Sequence, residues 1–398
     1  MSHRIVVLGA GYTGAFAAGR LARRLHRADV TITLVNAEPD FVERVRMHQL
    51  AVGQELKPRP LTGMFAGTGV DVRIARVTGV DVDRRTVAVT DQHGAGELPY
   101  DTLVYALGSR WSTHGVPGVA EHAHELASRP GALRLRERLA TLTAGQAVTV
   151  VGGGLTGVEA ATEIAEARPD LKVALVTRGD LGDWLSAKGR GYLREVFGRL
   201  GITAHEHIDV TGVEADRIST ADGRTIPAAV TVWTTGFAVH PLAKATALRV
   251  TDTGQIVVDD TMRSVSHPEV YAIGDAAYAM GANDTPLRMS CASGVPMAWQ
   301  GADSIAARLT GGKLPHVPLR YYNQCISLGR REGLIQYVTA DDRSVPTALT
   351  GRLAARYKEV VCKGATWGVL NPMFGMPARR RRVTADPTPA RSGAEATA

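Results

Sequence analysis

The sequence predicts an α/β protein with two parallel-sheet domains, the second inserted into the first, and an α+β region towards the C-terminus. Two observations carry this prediction. An apolar segment runs into a glycine-rich turn at residues 4–14, RIVVLGAGYTG, and again at residues 147–159, AVTVVGGGLTGVE. Each segment is typical of the first strand, turn and helix of a Rossmann-like dinucleotide-binding domain.

The glycines of both fingerprints stand at three kinds of position. In order, they permit a tight turn, the close approach of a pyrophosphate, and the close packing of helix on strand. They are Gly9, Gly11 and Gly14 in the first copy and Gly152, Gly154 and Gly157 in the second. The phosphates would lie at the positive end of a helix dipole. Tyr12, Thr13 and Thr156, in the same turns, are further candidates for cofactor binding.

Hydrophobic periodicity predicts the elements around these turns. The first βαβ unit covers about 4–36, with its helix from Gly14 to Leu25. Short β-branched runs between 70 and 106 predict an antiparallel meander that returns to a sheet strand at Thr102–Ala106. The second βαβ unit comprises strand Ala147–Val151, helix Gly157–Ala167 and strand Lys172–Val176.

Later elements complete both domains. We predict a helix at Gly189–Leu200, strands near Ile218, Ile226 and Val230–Thr234, a strand that ends in Gly274-Asp275, and a helix at Ser290–Leu309. The predicted division is 1–111 and 239–312 for the first domain, 112–238 for the inserted domain, 313–384 for a C-terminal or interface region, and 385–398 for a disordered tail.

Composition narrows the function classes. The 398 residues carry a net charge of +7, but residues 379–398 hold five arginines against two acids, so we predict no nucleic-acid partner. We find no signal peptide or membrane span, and expect a cytoplasmic protein with at most weak peripheral contact at ARRRRV. Cys291, Cys325 and Cys362 lie far apart, so a zinc knuckle or an adjacent dithiol is excluded, and no metal site is expected.

Five segments in order resemble the pyridine-nucleotide oxidoreductases, most closely the branch of type II NADH dehydrogenases and apoptosis-inducing-factor-like proteins. They are GAGYTG, LVYALGS, GGGLTGVE, WTTGF and YAIGDAA, within residues 1–310. The resemblance implies FAD at the first fingerprint and NADH or NADPH at the second. It also implies hydride transfer from nicotinamide to flavin N5, followed by electron transfer to a quinone-like or small aromatic acceptor.

The resemblance assigns roles to further residues. The backbone near Val77 would reach the adenine of FAD, and Asp275, after Gly274, would bond its ribitol or pyrophosphate. Glu159 stands where relatives place a glutamate near nicotinamide and flavin, to orient the carboxamide or relay a proton. Cys291 would lie beside the flavin ring. The chain would leave and re-enter the FAD domain at LVYALGS and WTTGF, which makes Ala106, Gly108 and Gly236 cofactor-binding candidates.

The chain departs from the family pattern at both ribose positions. Asn36, with Glu38 nearby, replaces the usual acid that binds the FAD ribose, and it still offers a hydrogen-bond acceptor. Thr177 and Arg178 stand where an acid would bind the 2′-hydroxyl of NADH. Arginine accommodates a 2′-phosphate, so we expect NADPH or weak discrimination.

The acceptor side departs as well. No CxxxxC follows the first fingerprint, and SCASGVPMAWQ replaces the AQxxxQ quinone signature. The segment at 40–53, largely apolar in type II NADH dehydrogenases, is polar here through Glu43, Arg44, Arg46 and His48. We take Arg44 and His48 as candidate catalytic residues and Arg44 also as a cofactor ligand. These charges either lie at the surface or form a wall that would suit a polar or anionic substrate better than a lipid quinone.

Two alternatives stay open at this point. FAD could act directly on a small metabolite, in an oxidase, a dehydrogenase or a redox-neutral enzyme, with the second fingerprint vestigial. The chain could also be a binding or signalling flavoprotein like apoptosis-inducing factor, in which NADH changes the oligomeric state. The sequence is compatible with a homodimer and names no acceptor.

Overall fold

The computed structural model describes residues 2–316, 318–371 and 380–384. Its first sheet has five strands, all paired in parallel, because apolar segments with both faces covered favour parallel pairing. The strand order is Val270–Ala272, Thr102–Tyr105, His3–Leu8, Val30–Asn36 and Val70–Ile74. The outer strand Val270–Ala272 comes from beyond the second sheet in the chain, which confirms an α/β fold with one unit inserted into another.

The second sheet repeats this architecture. Its five strands also pair in parallel, around the second glycine turn. Their order is Thr203–His205, Lys172–Val176, Ala147–Val151, Val230–Trp233 and Ala123–Glu125. The predicted strands are confirmed here, apart from a final residue at Val230–Thr234.

Each fingerprint turn leads directly into a helix on its sheet. The helices are Tyr12–Arg24 and Leu155–Ala167, so both begin two residues before the predicted start. The prediction placed each start at the third glycine, but the first helical turn already includes it. Helix Tyr12–Arg24 also packs against the late helix Cys291–Leu309, which continues through Pro296.

A two-stranded ribbon joins the units. Ser109–Trp111 leaves the first unit, Phe237–Val239 returns to it, and the two pair antiparallel. The domain boundaries at 111/112 and 238/239 fall at this ribbon and stay predictions.

The region 70–106 differs from the prediction in one respect. Its first segment, Val70–Ile74, is not part of the meander but pairs in parallel with Val30–Asn36. The chain turns at Ala75, whose N–H donates to the carbonyl of Asn36 over 2.8 Å. The meander itself comprises strands Arg76–Asp81, Thr86–Asp91 and Gly94–Pro99.

The C-terminal region is α+β, as predicted. It contains the antiparallel strands Asn323–Ser327, Gly333–Val338 and Ser344–Thr350, followed by helix Gly351–Leu370. Residues 381–384 rejoin the first unit, where Arg382 pairs with Asp29 over 2.7 Å. The predicted disordered tail, 385–398, lies outside the described residues.

The remaining elements are short or were not predicted. Helix Ala187–Arg199 begins two residues before its predicted start because Ser186 caps it, and Ser128 caps the unpredicted helix Arg129–Ala140. Other helices are Met47–Ala51, Leu61–Met64 and Val119–His122, with 3₁₀ turns at Arg44–Arg46, Pro241–Ala245, Gly274–Ala276 and Ala282–Asp284. Other strands are Val210–Val213, Arg217–Thr220, Thr225–Pro227, Ile256–Val257 and Ala277–Tyr278. Within the described ranges, no helix combines the length and apolarity needed to cross a membrane.

Gly14 provides a test of the turn geometry. A Cβ there would lie 1.8 Å from the carbonyl oxygen of Gly9. We expect Gly14→Ala to lower the free energy of unfolding by about 1–3 kcal/mol, measured by urea denaturation, since overpacking forces the backbone to shift. Gly198→Ala is the control, because that helical glycine faces open space. Equal destabilisation of both variants would contradict this account.

Candidate active site

One cavity of about 1300 Å³ is lined by both sheet units and the C-terminal region. It lies where the carboxyl ends of parallel strands meet glycine turns, the usual position of a ligand site in α/β sheets. Most of the predicted site residues line it: Gly9, Gly11, Tyr12, Thr13, Asn36, Arg44, His48, Ala106, Gly108, Gly152, Gly154, Thr156, Glu159, Arg178, Gly236, Asp275 and Cys291.

Four predicted residues lie outside the lining. Gly14 and Gly157 lie beneath their turns, where a Cβ would be 1.8 Å from a carbonyl oxygen. Gly274 packs on Thr13, leaving no room for a side chain. Val77 does not line the cavity, and its side chain is buried in the core, so the predicted adenine contact stays a prediction.

Both fingerprints present open backbone to the cavity. A Cβ on Gly11 or on Gly154 would meet no atom within 4 Å, whereas one on Gly9, at φ +94°, would lie 2.5 Å from the carbonyl oxygen of Ala106. Space over the second glycine and a closed turn beneath the first make a cradle for a pyrophosphate. The turns therefore fit the dinucleotides that the sequence implies.

Asn36 orients the first turn. Its Oδ1 accepts the N–H of Ala10 at 2.9 Å, and its Nδ2 donates to the carbonyl of Glu38 at 2.8 Å. The amide is thus occupied by the chain itself. The carboxylate available to a ribose hydroxyl at this end of the cavity is that of Glu38, which also lines it.

Arg178 has a carboxylate neighbour that the sequence did not predict. Its Nε lies 3.6 Å from Oδ1 of Asp209, and both exposed side chains line the cavity beside the second fingerprint. The ribose end of this half therefore offers both a cation and an acid.

Arg44 belongs to a polar cluster near the first fingerprint. It donates to the carbonyl and hydroxyl oxygens of Ser109 at 3.0 and 3.1 Å, and Ser109 Oγ donates to Asp275 over 2.5 Å. The guanidinium also lies 4.9 Å from the ring centre of Phe237. Arg44 Nη1 also lies 3.6 Å from Asp275 Oδ2, so these two residues, predicted separately, meet both directly and through Ser109.

Glu159 is the centre of a second, buried cluster. Its Oε1 accepts from Lys358 Nζ at 2.8 Å and from the N–H of Ser327 at 2.9 Å. Lys358 also donates to the carbonyl of Cys325 at 2.7 Å. On the other side, His48 Nδ1 lies 3.9 Å from Glu159 Oε2.

The cluster continues behind the cavity wall. His48 Nε2 lies 4.0 Å from Oε2 of Glu163, and neither atom has a hydrogen-bond partner among the described residues. The other oxygen of Glu163 accepts from Gln54 over 2.6 Å. The side chains of His48, Glu159 and Glu163 are only 6, 7 and 2% exposed.

Burial and charge set the ionisation of this cluster. Burial would raise the pKa of Glu159, but Lys358, His48 and the Ser327 N–H together lower it. Burial lowers the pKa of His48 to about 4, against the attraction of Glu159. Burial raises the pKa of Glu163 to about 7. Near neutral pH the cluster therefore holds an ionised Glu159–Lys358 pair beside a neutral imidazole and a carboxyl, that of Glu163, which is protonated in about half of the molecules.

The three cysteines all line the cavity, although they are distant in sequence. Cys291 is open to the cavity, yet desolvation still raises the pKa of its thiol. Burial raises the pKa of Cys325 to about 11 and also raises that of Cys362. All three are therefore neutral thiols near pH 7, which favours packing over a thiolate reaction.

The polar segment at 40–53 divides into two sets. Arg44 and His48 line the cavity, but Glu43 and Arg46 do not. Arg46 pairs with Glu359 at 3.0 Å and with Glu43 at 3.1 Å, and Glu43 accepts from Thr366 at 3.0 Å. These contacts fasten the C-terminal helix, so half of the predicted polar wall is structural.

Sequence reasoning missed Lys358, Glu163, Ser109 and Asp209. Lys358 left one signal, because it lies four residues from buried Ala354 and four from buried Cys362. A lysine on the buried face of a helix needs a partner. Which partner it has depends on how the helix docks, and the sequence does not reveal that.

The family model described as pyridine nucleotide-disulphide oxidoreductase matches residues 3–306. The chain belongs to this family. Its members combine two dinucleotides on such a pair of domains, so the chain is an FAD-dependent NAD(P)H oxidoreductase, as the resemblance implied. Within the described ranges, no group of histidine, cysteine and acidic side chains is arranged to hold a metal ion.

Two individual relatives are similar to this chain over more than 80% of its length. An NADH dehydrogenase-like protein of Mycobacterium tuberculosis is 29% identical over 351 residues, covering 82% of this chain and 86% of its own. Demethylphylloquinone reductase of Synechocystis is 26% identical over 367 residues, covering 88% and 90%.

Two solved structures show the same fold. NDH2 of Plasmodium falciparum, in complex with NADH, has a TM-score of 0.78 at 15% identity and covers 94% of this chain and 98% of its own. The sulfide:quinone oxidoreductase of Aquifex aeolicus has a TM-score of 0.79 at 18% identity and covers 97% and 98%.

Glu163 gives a test of the buried cluster. When folding raises the pKa of a carboxyl group, the folded protein loses stability as the pH rises from the unfolded-state pKa of that group to its folded-state pKa. We expect Glu163→Gln, which mimics the protonated form, to gain on the order of 2–3 kcal/mol relative to wild type between about pH 5 and about pH 8. Urea denaturation at both pH values measures this difference. Glu195→Gln, at an exposed carboxylate on helix Ala187–Arg199, is the control, and a pH-independent difference for Glu163→Gln would refute the assignment.

Proposed function

We propose that the chain passes electrons from NADH or NADPH, through FAD, to a quinone-like or small aromatic acceptor, without a redox disulfide. The observation that carries this proposal is one cavity that is lined by both glycine fingerprints and by residues of the C-terminal region. Relatives named as NADH:quinone oxidoreductase and demethylphylloquinone reductase support the acceptor class.

The first fingerprint and its neighbours would hold FAD. Gly11 leaves room for the pyrophosphate, while Glu38 and Asp275 offer carboxylates to sugar hydroxyls. When bound, FAD accepts hydride from a reduced nicotinamide and passes the two electrons on to the acceptor. The chain's own contribution is to hold the two ligands and the acceptor in one enclosed space.

The second fingerprint would hold the nicotinamide dinucleotide, with little discrimination between its two forms. Arg178 suits a 2′-phosphate, and Asp209 suits a 2′-hydroxyl. Because both side chains are exposed, each can turn towards the ribose or towards solvent. We therefore propose that NADH and NADPH are both used.

Glu159 and Lys358 would hold a proton at the acceptor end. Lys358 lines the cavity, and Glu159 and the carbonyl of Cys325 orient its ammonium. An ammonium there can donate a hydrogen bond to a carbonyl oxygen of the acceptor as negative charge develops on it.

The proposal also includes the location of the protein and its contacts with other molecules. A cytoplasmic location fits the absence of a spanning helix in the part of the chain that the structure describes. Leu353 and Val360 are exposed on the outer side of the C-terminal helix, which supports a homodimer contact or a weak peripheral one.

Anaerobic mixing of the purified protein with NADH or NADPH tests the donor half. We expect both dinucleotides to bleach the visible flavin absorbance, and a quinone added afterwards to restore it. If neither dinucleotide bleaches the flavin, the proposal is refuted and direct action of FAD on a metabolite is favoured. Persistent long-wavelength absorbance with a change in mass would instead favour the NADH-responsive binding protein.

Cofactor preference tests the ribose end. We expect Arg178→Gln to lower kcat/KM for NADPH about tenfold and to leave NADH within about twofold, since a cation is removed from a phosphate site. Asp209→Asn should raise kcat/KM for NADPH, because it removes the repulsion between a carboxylate and the 2′-phosphate. Arg217→Gln, an exposed arginine outside the cavity lining, is the matched control. Equal losses for both dinucleotides in Arg178→Gln would contradict the assignment.

A further inference from the structure

The proposed reaction needs a proton from water. Reduction of a quinone-like acceptor to its hydroquinone takes two electrons and two protons, whereas hydride from NADH supplies two electrons and one proton. The second proton must reach the Glu159–Lys358 pair, whose side chains are only 7 and 13% exposed. A path for this proton is therefore part of the chemistry.

We propose that Glu163 and His48 form a proton relay, which brings one proton per turnover from the Gln54 side of the protein to the Glu159–Lys358 pair. This inference rests on the proposed function. The geometry that carries it is a continuous line of buried titratable groups, from Glu163 through both nitrogens of His48 to Glu159 and Lys358.

The unpartnered atoms define the direction of the relay. His48 has a carboxyl group at each ring nitrogen, Glu159 at 3.9 Å and Glu163 at 4.0 Å. A protonated Glu163 can donate to Nε2, which leaves the proton of the ring on Nδ1, facing the Glu159 carboxylate. Side-chain rotations of about 1 Å close both gaps to hydrogen-bond distance.

One cycle of the relay balances. Lys358 gives a proton to the acceptor oxygen and regains one from Nδ1 of His48 through Glu159. His48 takes the proton of Glu163 on Nε2. Water on the Gln54 side then reprotonates Glu163. Exchange with water, which removes the proton from Nε2 and returns one to Nδ1, restores the first tautomer of His48. No group changes its net protonation over a turnover.

The outer end of the line reaches the surface segment. Gln54 is partly exposed and holds one oxygen of Glu163 over 2.6 Å, so the second oxygen stays directed at His48. Gln54 lies in the segment between helices Met47–Ala51 and Leu61–Met64. The charged groups that act on Glu163 and His48 from the surrounding elements are Arg46, Glu159, Glu166, Arg330 and Lys358.

The resting protonation pattern suits this role. Glu163, with a pKa raised to about 7 by burial, holds a proton near neutral pH and can release it. His48, with a pKa lowered to about 4 by burial, is a neutral imidazole that can accept on one nitrogen while it donates from the other. When Glu163 holds its proton, the relay carries no net charge.

Glu163→Gln tests the relay in the holoenzyme by separating the half-reactions. Bleaching by NADH should stay within about twofold of wild type, because hydride carries its own proton. Reoxidation by a soluble quinone should slow about tenfold or more, and should lose the decline that wild type shows as the pH rises through about 7. Glu195→Gln, the control at an exposed carboxylate outside the cavity lining, should match wild type in both steps.

Infrared difference spectra supply a readout independent of turnover. Oxidised wild-type protein should show a carboxylic-acid C=O band that disappears as the pH rises through about 7. The band should be absent in Glu163→Gln and retained in Glu195→Gln. A second variant, His48→Gln, should retain the band yet reoxidise slowly.

The outcomes separate the two proposals. If neither dinucleotide bleaches wild type, the proposed function and the relay both fail. If wild type turns over normally while Glu163→Gln keeps wild-type reoxidation and its pH dependence, the relay alone is overturned. Absence of the titrating band in wild type overturns it equally.

Discussion

The buried ion pair between Glu159 and Lys358 joins the two parts of the molecule on which the site depends. It ties the helix of the second fingerprint to the C-terminal helix across a 2.8 Å contact. Two ions removed from water are tolerated only where each finds further partners. Here Ser327 and the carbonyl of Cys325 supply them, so the C-terminal sheet is fixed by the same contacts. The floor of the cavity is thereby set by electrostatics as much as by apolar packing.

The dinucleotide half of the site could be predicted from the sequence because its determinants are local. Gly9 and Gly14 act within one turn, and the same holds for Gly152 and Gly157, so spacing alone predicts strand, turn and helix. The C-terminal half depends on pairs such as Glu159 and Lys358, which are 199 residues apart. No periodicity specifies such a pairing. The error at Val70–Ile74 has the same origin, since parallel pairing with a distant strand overrode the local meander pattern.

The polar segment at 40–53 shows that a charged residue in a sequence does not by itself indicate whether its role is structural or functional. A buried charge that fastens two helices and one that faces a ligand obey the same requirement for a partner. Arg46 has its partners in Glu43 and Glu359, and is satisfied by the fold. His48 has carboxyl groups at both nitrogens but no hydrogen bond to either, and it lines the cavity. Only the three-dimensional arrangement of their partners distinguishes the structural residue Arg46 from the candidate functional residue His48.

This division bears on how such a fold can change its acceptor. The third glycine of each turn tolerates almost no substitution, because a Cβ at Gly14 or Gly157 would meet a backbone oxygen at 1.8 Å. In the proposed function the acceptor wall would come instead from side chains on the C-terminal helix and on 40–53, among them Lys358 and His48. Substitutions there alter charge and proton supply while the dinucleotide cradle stays intact. The fold can therefore keep one donor chemistry and vary what receives the electrons, provided that each buried charge it introduces, as at Lys358, arrives with a partner.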